Sequence, residues 1–221
     1  MNDEKRVRLT PWTRQPAHVA GLFLLMTLLY LILNSFGASW WWSLLAFASA
    51  VAHQGLVAFV WRREIFEPAK NLVERRSRVR FFAVSFALLV AARLVLTVIL
   101  SRDTSGSIDL NPLLRLSAIG AIVILAGYTF YSVIRYFGMY RALGADHFDP
   151  SYRKKAFVTK GIYRFTSNSM YTFGILPFLL PGLLLQSGEG LAFGLYHYIA
   201  IWVHYWATEK PDIRHLYGPH Q

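Results

Sequence analysis

Residues 81–100 read FFAVSFALLVAARLVLTVIL, an unbroken apolar run with a single charged residue, Arg93. About 20 apolar residues are enough for an α-helix to cross the hydrocarbon core of a bilayer. Three further long apolar runs occupy residues 19–36, 40–61 and 116–139. Because only helices and closed barrels satisfy their backbone polar groups in lipid, runs of this length predict a bundle of transmembrane helices.

The composition agrees with membrane insertion. Hydrophobic residues make up 55% of the 221 residues and charged residues only 16%, which is too little polar surface to coat a soluble globule of this size. The chain has no cysteine, so disulfides, thiolate catalysis and thiolate metal sites are excluded. The net charge of +11 favours loops that contact anionic lipid headgroups over nucleic-acid binding, since basic residues collect at the membrane surface.

Two shorter apolar segments follow near the C-terminus. Residues 172–185 contain Pro177 and Pro181, and a further run extends from residue 191 to about 208, with the sequence QSGEG at residues 186–190 between them. A tight, glycine-containing turn between two apolar runs indicates a helical hairpin. The predicted fold is therefore all-α, a polytopic bundle of about six membrane segments that ends in a short C-terminal hairpin.

Basic residues outside the predicted spans are unevenly distributed. The N-terminus carries four, the loop at residues 62–80 seven, the loop at residues 141–164 six and the C-terminus two, whereas the alternate connections carry none, two and none. Cytoplasmic loops carry an excess of Lys and Arg. We therefore expect an integral membrane protein with both termini and the loop at residues 140–170 in the cytoplasm.

The C-terminal region, residues 141–221, carries an ordered set of motifs. A Leu-Gly turn ends at Gly144, residues 157–171 read FVTKGIYRFTSNSMY, and residues 207–218, after the hairpin, read ATEKPDIRHLYG. In order and spacing this region resembles the C-terminal half of the integral membrane methyltransferases, the family of phospholipid N-methyltransferases and isoprenylcysteine carboxyl methyltransferases. With transmembrane helices in residues 1–140, we interpret residues 1–221 as one membrane domain.

The resemblance implies an S-adenosylmethionine-dependent enzyme acting on a membrane lipid substrate, and the tail is closer to the phospholipid-methylating branch. The implied acceptor is the amine headgroup of phosphatidylethanolamine or of its methylated derivatives. The resemblance assigns catalysis to Glu209, Arg214 and Tyr171. The implied cofactor contacts are Gly161, Tyr163, Arg164, Asn168, Met170, Tyr171, Tyr205 and Glu209. No metal is expected, because methyl transfer is an in-line displacement that depends on positioning and charge balance.

The residue types suit such a cofactor. A sulfonium, an ammonium and a ribose call for a carboxylate, backbone groups near glycine and an aromatic surface, and Glu209, Gly161 and Tyr205 supply these. We expect Glu209 to stand at the C-terminal end of the last membrane helix, where the helix dipole disfavours a carboxylate unless a cation compensates it. Arg214 lies one turn further on and is a candidate for that cation, or for a lipid phosphate ligand.

Two departures from the family pattern leave alternatives open. Ser167, Asn168 and Ser169 stand where the family shows Arg-His-Pro, and Lys210 stands where a second glutamate is usual. The alternatives are an isoprenylcysteine-type carboxyl methyltransferase, an enzyme similar to the membrane sterol reductases, and a membrane scaffold without catalysis. Arg93 is open as well, because a charge within a span either makes a functional contact or snorkels to the interface.

Overall fold

The computed structural model describes residues 9–33 and 39–218. The α-helices in these ranges are α1 (Gln15–Leu33), α2 (Trp40–Phe66), α3 (Leu72–Asp103), α4 (Pro112–Ser132), α5 (Met139–Ala142), α6 (Ala145–Phe148), α7 (Leu180–Leu185), α8 (Gly188–His204) and α9 (Lys210–Tyr217). Wider π-turns occupy Val133–Phe137, Met170–Gly174 and Tyr205–Glu209, and 3₁₀ turns occupy Pro150–Lys154, Gly161–Arg164 and Leu176–Leu179. Neither range contains a strand, so the predicted all-α architecture is confirmed.

Among the described residues, three helical segments are long and apolar enough to cross a membrane: α2, α3, and α4 together with its π-turn to Phe137. This supports the prediction of an integral membrane protein. Helix α3 begins nine residues before the predicted apolar run, because Asn71 caps it and its side-chain oxygen accepts a hydrogen bond from the Glu74 amide at 2.9 Å. The predicted end of the first span at residue 36, like both chain termini, falls outside the described ranges.

Helix α8 is the centre of the bundle. It packs against α1, α3 and the segments of the hairpin, while α2 packs along α3. The core between these helices contains Leu22 of α1, Phe47 of α2, Leu100 of α3 and Phe193 of α8, all buried. The outward faces of α3 and α4 stay apolar and exposed, as expected of helices that face lipid rather than water.

The first arm of the C-terminal hairpin, from Met170 to Leu185, packs against α4 and against α8, the second arm. Two glycines permit the close approach. A side chain at Gly190 would clash with Ser101 of α3 and with the backbone of Gly182, and one at Gly182 would clash with the backbone of Leu191. Small residues of this kind let helix backbones pack tightly in a membrane, where van der Waals contact drives association.

Arg93 points into the bundle. It is 2% exposed, its Nη1 donates to Nδ1 of His53 at 3.0 Å, and its Nη2 donates to Nδ1 of His197 at 2.8 Å. A guanidinium can only donate, so both imidazole Nδ1 atoms act as acceptors. Arg93 thus joins α2, α3 and α8 from within and does not snorkel to the interface.

Candidate functional site

Glu209 lies where α8 passes into α9 through the π-turn Tyr205–Glu209. The wide turn has a local cause. Pro211 has no N–H for the carbonyl of Ala207, and in a regular α-helix its ring would clash with that carbonyl. The expectation that the helix ends at Glu209 is therefore wrong, since helical backbone continues through Lys210–Tyr217. Insertions of this kind within helices occur frequently at functional sites.

The Glu209 carboxylate meets aromatic side chains from two segments. The hydroxyl of Tyr171, on the first turn of the hairpin, donates a hydrogen bond to Oε2 of Glu209. The Tyr171 ring lies 5.7 Å from the ring of Tyr205 and 6.2 Å from that of Trp202, centroid to centroid. The phenol that binds the carboxylate thus belongs to a cluster of three aromatic rings, and a carboxylate next to aromatic rings is able to hold a cationic ligand group.

The pKa of the Glu209 carboxyl lies near neutral pH. Burial raises the pKa of Glu209 to about 7, an effect that the Tyr171 hydrogen bond and the nearby His147 cation oppose and that Asp146 and Asp212 reinforce. A carboxyl group with this pKa exists in both forms at physiological pH. A cation placed beside it would favour the ionised form and would be held by it.

A buried ionic network joins α9 to the rest of the bundle, about one helical turn after Glu209. Nε of Arg62, at the end of α2, lies 2.6 Å from Oδ1 of Asp212 on α9, with side chains 4% and 0% exposed. Oδ2 of Asp212 lies 3.4 Å from Nε2 of His147, whose Nδ1 lies 3.1 Å from Asp146. Asp146 also accepts a 2.8 Å hydrogen bond from the Tyr217 hydroxyl. Helices α2, α6 and α9 are therefore joined through charged groups.

His147 is the cation at the centre of this network. Burial by itself lowers the pKa of His147, but the carboxylates of Asp146 and Asp212 outweigh burial and raise that pKa to about 9. Burial by itself raises the pKa of Asp146, but the hydrogen bond and charge of His147, together with the Tyr217 hydrogen bond, outweigh burial, and that pKa is lowered. Sequence reasoning did not single out Asp146, His147 or Asp212 as functional residues. Their only local signal is the acidic-histidine pair after the Leu-Gly turn, and the partner Asp212 is remote in the chain.

The predicted cofactor residues Gly161 and Tyr163 anchor the loop on the end of α4. Gly161 has a φ of +62°, and a side chain there would clash with Ser132 of α4 and with Tyr136 in the π-turn that follows α4. The adjacent Ile162 amide donates to Oγ of Ser132 at 3.1 Å. The buried Tyr163 ring stacks on Phe137 at 5.1 Å and 18°. Both residues fix the path by which the loop returns to the hairpin, and the side-chain hydrogen bond of Glu209 is to Tyr171 rather than to Tyr163.

The other predicted site residues divide into two that adjoin Tyr171 in the chain and two exposed arginines. Met170 packs against the apolar cluster that contains Tyr163 and directly precedes Tyr171, while the Asn168 carbonyl accepts the Tyr171 amide at 3.0 Å. Arg164 and Arg214 are exposed, and neither forms an ion pair with another residue in the described ranges. The structure thus brings together Tyr171, Tyr205 and Glu209, with Asn168 and Met170 next to them in the chain.

Comparison with protein families points to the same part of the molecule. Residues 115–220 match the model of the phospholipid methyltransferase family, a range that includes α4, the loop, the hairpin and the tail. No curated protein and no solved structure matches the chain. The matched region contains the whole Tyr171, Tyr205 and Glu209 cluster. Residues 115–220 are thus similar to the phospholipid methyltransferase family, and the protein is a membrane enzyme of methyl transfer.

Proposed function

We propose that this enzyme transfers methyl groups from S-adenosylmethionine to the amine headgroup of phosphatidylethanolamine or of its methylated derivatives. The observation that carries the proposal is the Glu209 carboxylate, bound by the hydroxyl of Tyr171, whose ring packs against Tyr205 and Trp202. It lies within the region matched to the phospholipid methyltransferase family. The donor set fits the cofactor, because it offers one carboxylate and several aromatic faces to a ligand that carries an ammonium and a sulfonium.

Each of these residues has a separate task. Glu209 in its ionised form binds the ammonium or a ribose hydroxyl, and Tyr171 fixes the direction of the carboxylate through its hydrogen bond. Tyr205 and Trp202, at 5.8 Å from one another, provide the faces on which a cation is stabilised. When bound, S-adenosylmethionine supplies an activated methyl group. The protein contributes position and charge balance, which carry most of the rate in such a displacement.

The lipid substrate reaches this place from the membrane side. The segment Met170–Leu185 lies against α4 and α8, so Tyr171 stands at the start of an apolar segment of the bundle. Arg214 is exposed on α9, about one turn beyond Glu209, and we assign to it the phosphate of the substrate headgroup. The cofactor enters from water at the level of α9.

The proposed topology places this surface in the cytoplasm, with both termini on that side. Reporter fusions at residue 221 and within the loop at residues 67–71 test the assignment. We expect both fusions to report the cytoplasmic side. Opposite sides would contradict the topology, because the span count between them would then be odd.

Cofactor binding tests the site. We expect the Glu209→Gln variant to bind S-adenosylmethionine about tenfold or more weakly than wild type, about 1.4 kcal/mol, in calorimetric titration of the purified protein. Glu67→Gln is the matched control, since Glu67 is exposed near the end of α2 and should bind as wild type does. Equal affinity in Glu209→Gln, or binding of a nicotinamide dinucleotide in place of S-adenosylmethionine, would contradict the assignment.

The acceptor is tested by lipid mass spectrometry. Expression in a host that lacks methylated phospholipids should produce mono-, di- or trimethylated phosphatidylethanolamine, and the Glu209→Gln variant should not. If the wild-type protein binds the cofactor but leaves the phospholipids unchanged, the acceptor assignment is wrong while the cofactor site stands.

A further inference from the structure

The cytoplasmic half of α3 presents two kinds of arginine. Those that face the protein are paired: Nη1 of Arg75 lies 3.2 Å from Oδ2 of Asp149, and Arg78 pairs with Glu64 at 2.8 Å and with Glu74 at 2.6 Å. These inward arginines therefore have their charge compensated by acidic groups of the same protein. They hold the start of α3 against α2 and the cytoplasmic loop.

The outward arginines, Arg76 and Arg80, are different. Both are exposed, and neither forms an ion pair with a residue in the ranges 9–33 and 39–218. They stand four residues apart, which places them on the same helix face, and they line a groove of about 720 Å³ with Ser77 between them. Two guanidinium groups and a hydroxyl thus lie side by side on one open face of α3.

The same groove continues toward the membrane as an apolar strip. Phe81 and Val84 line it and are 66% and 59% exposed, and Leu88, one turn further along, is 65% exposed. At about 1.5 Å per residue, this strip extends over roughly 10 Å below Arg80. A ligand that fills the whole groove therefore needs an anionic group at one end and a hydrocarbon portion at the other.

At its other edge the groove meets the cytoplasmic loop. A neighbouring concavity of about 480 Å³ shares Arg76 and Arg80 and adds Tyr140 and Asp149. Asp149 is already paired with Arg75, so its carboxylate is compensated. The groove therefore offers two uncompensated cations to a phosphate and no uncompensated acid to an ammonium, which favours an anionic headgroup over an ethanolamine or choline headgroup.

We propose that this groove is a binding site for one anionic glycerophospholipid, separate from the site around Glu209. The phosphate is held by Arg76, Arg80 and Ser77, and the acyl chains lie along Phe81 and Val84. Guanidinium pairs bind phosphate with directed, charge-assisted hydrogen bonds, and only a ligand with a hydrocarbon portion also covers the apolar strip. The bound lipid would bridge α3 and the loop that carries Tyr140. The proposal does not depend on the identity of the methyl acceptor.

Native mass spectrometry of the purified full-length chain, titrated with phosphatidylglycerol or phosphatidylcholine, tests the proposal. We expect wild type to retain one phosphatidylglycerol in preference to phosphatidylcholine. The variant Arg76→Gln/Arg80→Gln should bind phosphatidylglycerol about tenfold or more weakly, and Arg76→Lys/Arg80→Lys should retain part of the affinity because it keeps the charge. The control Arg63→Gln/Lys70→Gln removes the same charge from exposed positions outside the groove and should bind as wild type does.

Four outcomes would overturn the proposal. They are unchanged affinity in Arg76→Gln/Arg80→Gln, an equal loss in the Arg63→Gln/Lys70→Gln control, equal retention of phosphatidylcholine, and full displacement of the lipid by glycerol phosphate. The second would show diffuse surface charge rather than a site, and the last a site for free phosphate. Both altered arginines are exposed, and unchanged circular dichroism and gel-filtration profiles verify that a loss of lipid is not a loss of fold.

Discussion

Replacement of Asp212 by asparagine should release the C-terminal helix α9 from the bundle. Asp212 is fully buried and lies 2.6 Å from Arg62 and 3.4 Å from His147. The substitution keeps the size of the side chain and removes its charge. Arg62 and His147 then remain buried with one carboxylate fewer, and removing one partner of a buried ion pair costs about 3 to 5 kcal/mol.

This cost applies mainly to the docking of α9, since Asp212 contacts the rest of the protein through these two cations. Local opening of α9 should therefore become about 100- to 5000-fold more frequent, at about 1.4 kcal/mol for each factor of ten. Hydrogen exchange of the α9 amides measures this opening directly. The matched control is Asp109→Asn, because Asp109 is exposed and forms no ion pair with another described residue; its exchange should equal that of wild type.

The double variant Arg62→Gln/Asp212→Asn separates the ion pair from other effects. Because it removes both partners, its destabilisation should be well below the sum of the two single variants. Exchange of α9 within about threefold of wild type in Asp212→Asn, or strict additivity in the double variant, would refute the view that this pair holds the tail.

Three further predictions concern titration and packing. Affinity for S-adenosylmethionine should rise from pH 6 to pH 8 with a midpoint near the pKa of Glu209, about 7, because the ionised carboxylate binds the cation; titrations of Glu209→Gln should show no such midpoint. The pKa of His147 is raised to about 9, so its stabilisation is complete below its ordinary pKa of about 6.5 and is lost as the pH rises through 9. The melting temperature should fall across that window in wild type but not in His147→Gln. Gly190→Ala should lower the free energy of unfolding by about 1 to 3 kcal/mol through overpacking against Ser101, whereas Gly120→Ala, with open space around it, should be neutral or stabilising in thermal unfolding.

The sequence by itself predicts the membrane helices, because apolar length is a local property of the chain. Apolar length identifies α2, α3 and α4 as spans without knowledge of their neighbours. The hairpin was also predictable, since its turn and its two apolar arms are contiguous in the chain. Motif order likewise pointed to Tyr171 and Glu209, which are now seen in contact. The helix end at Glu209 was predicted incorrectly, because apolarity stops there while hydrogen-bonded helical backbone continues past Pro211.

Only the tertiary structure decided which partner each buried charge has. Arg93 is bound by His53 and His197, 40 and 104 residues away in the chain, and His147 meets Asp212 across a similar distance in the sequence. A charge inside the protein is tolerated only if another group compensates it, so sequence can indicate that a partner is needed. Which residue fills that need depends on how the helices pack, and packing is a property of the assembled bundle.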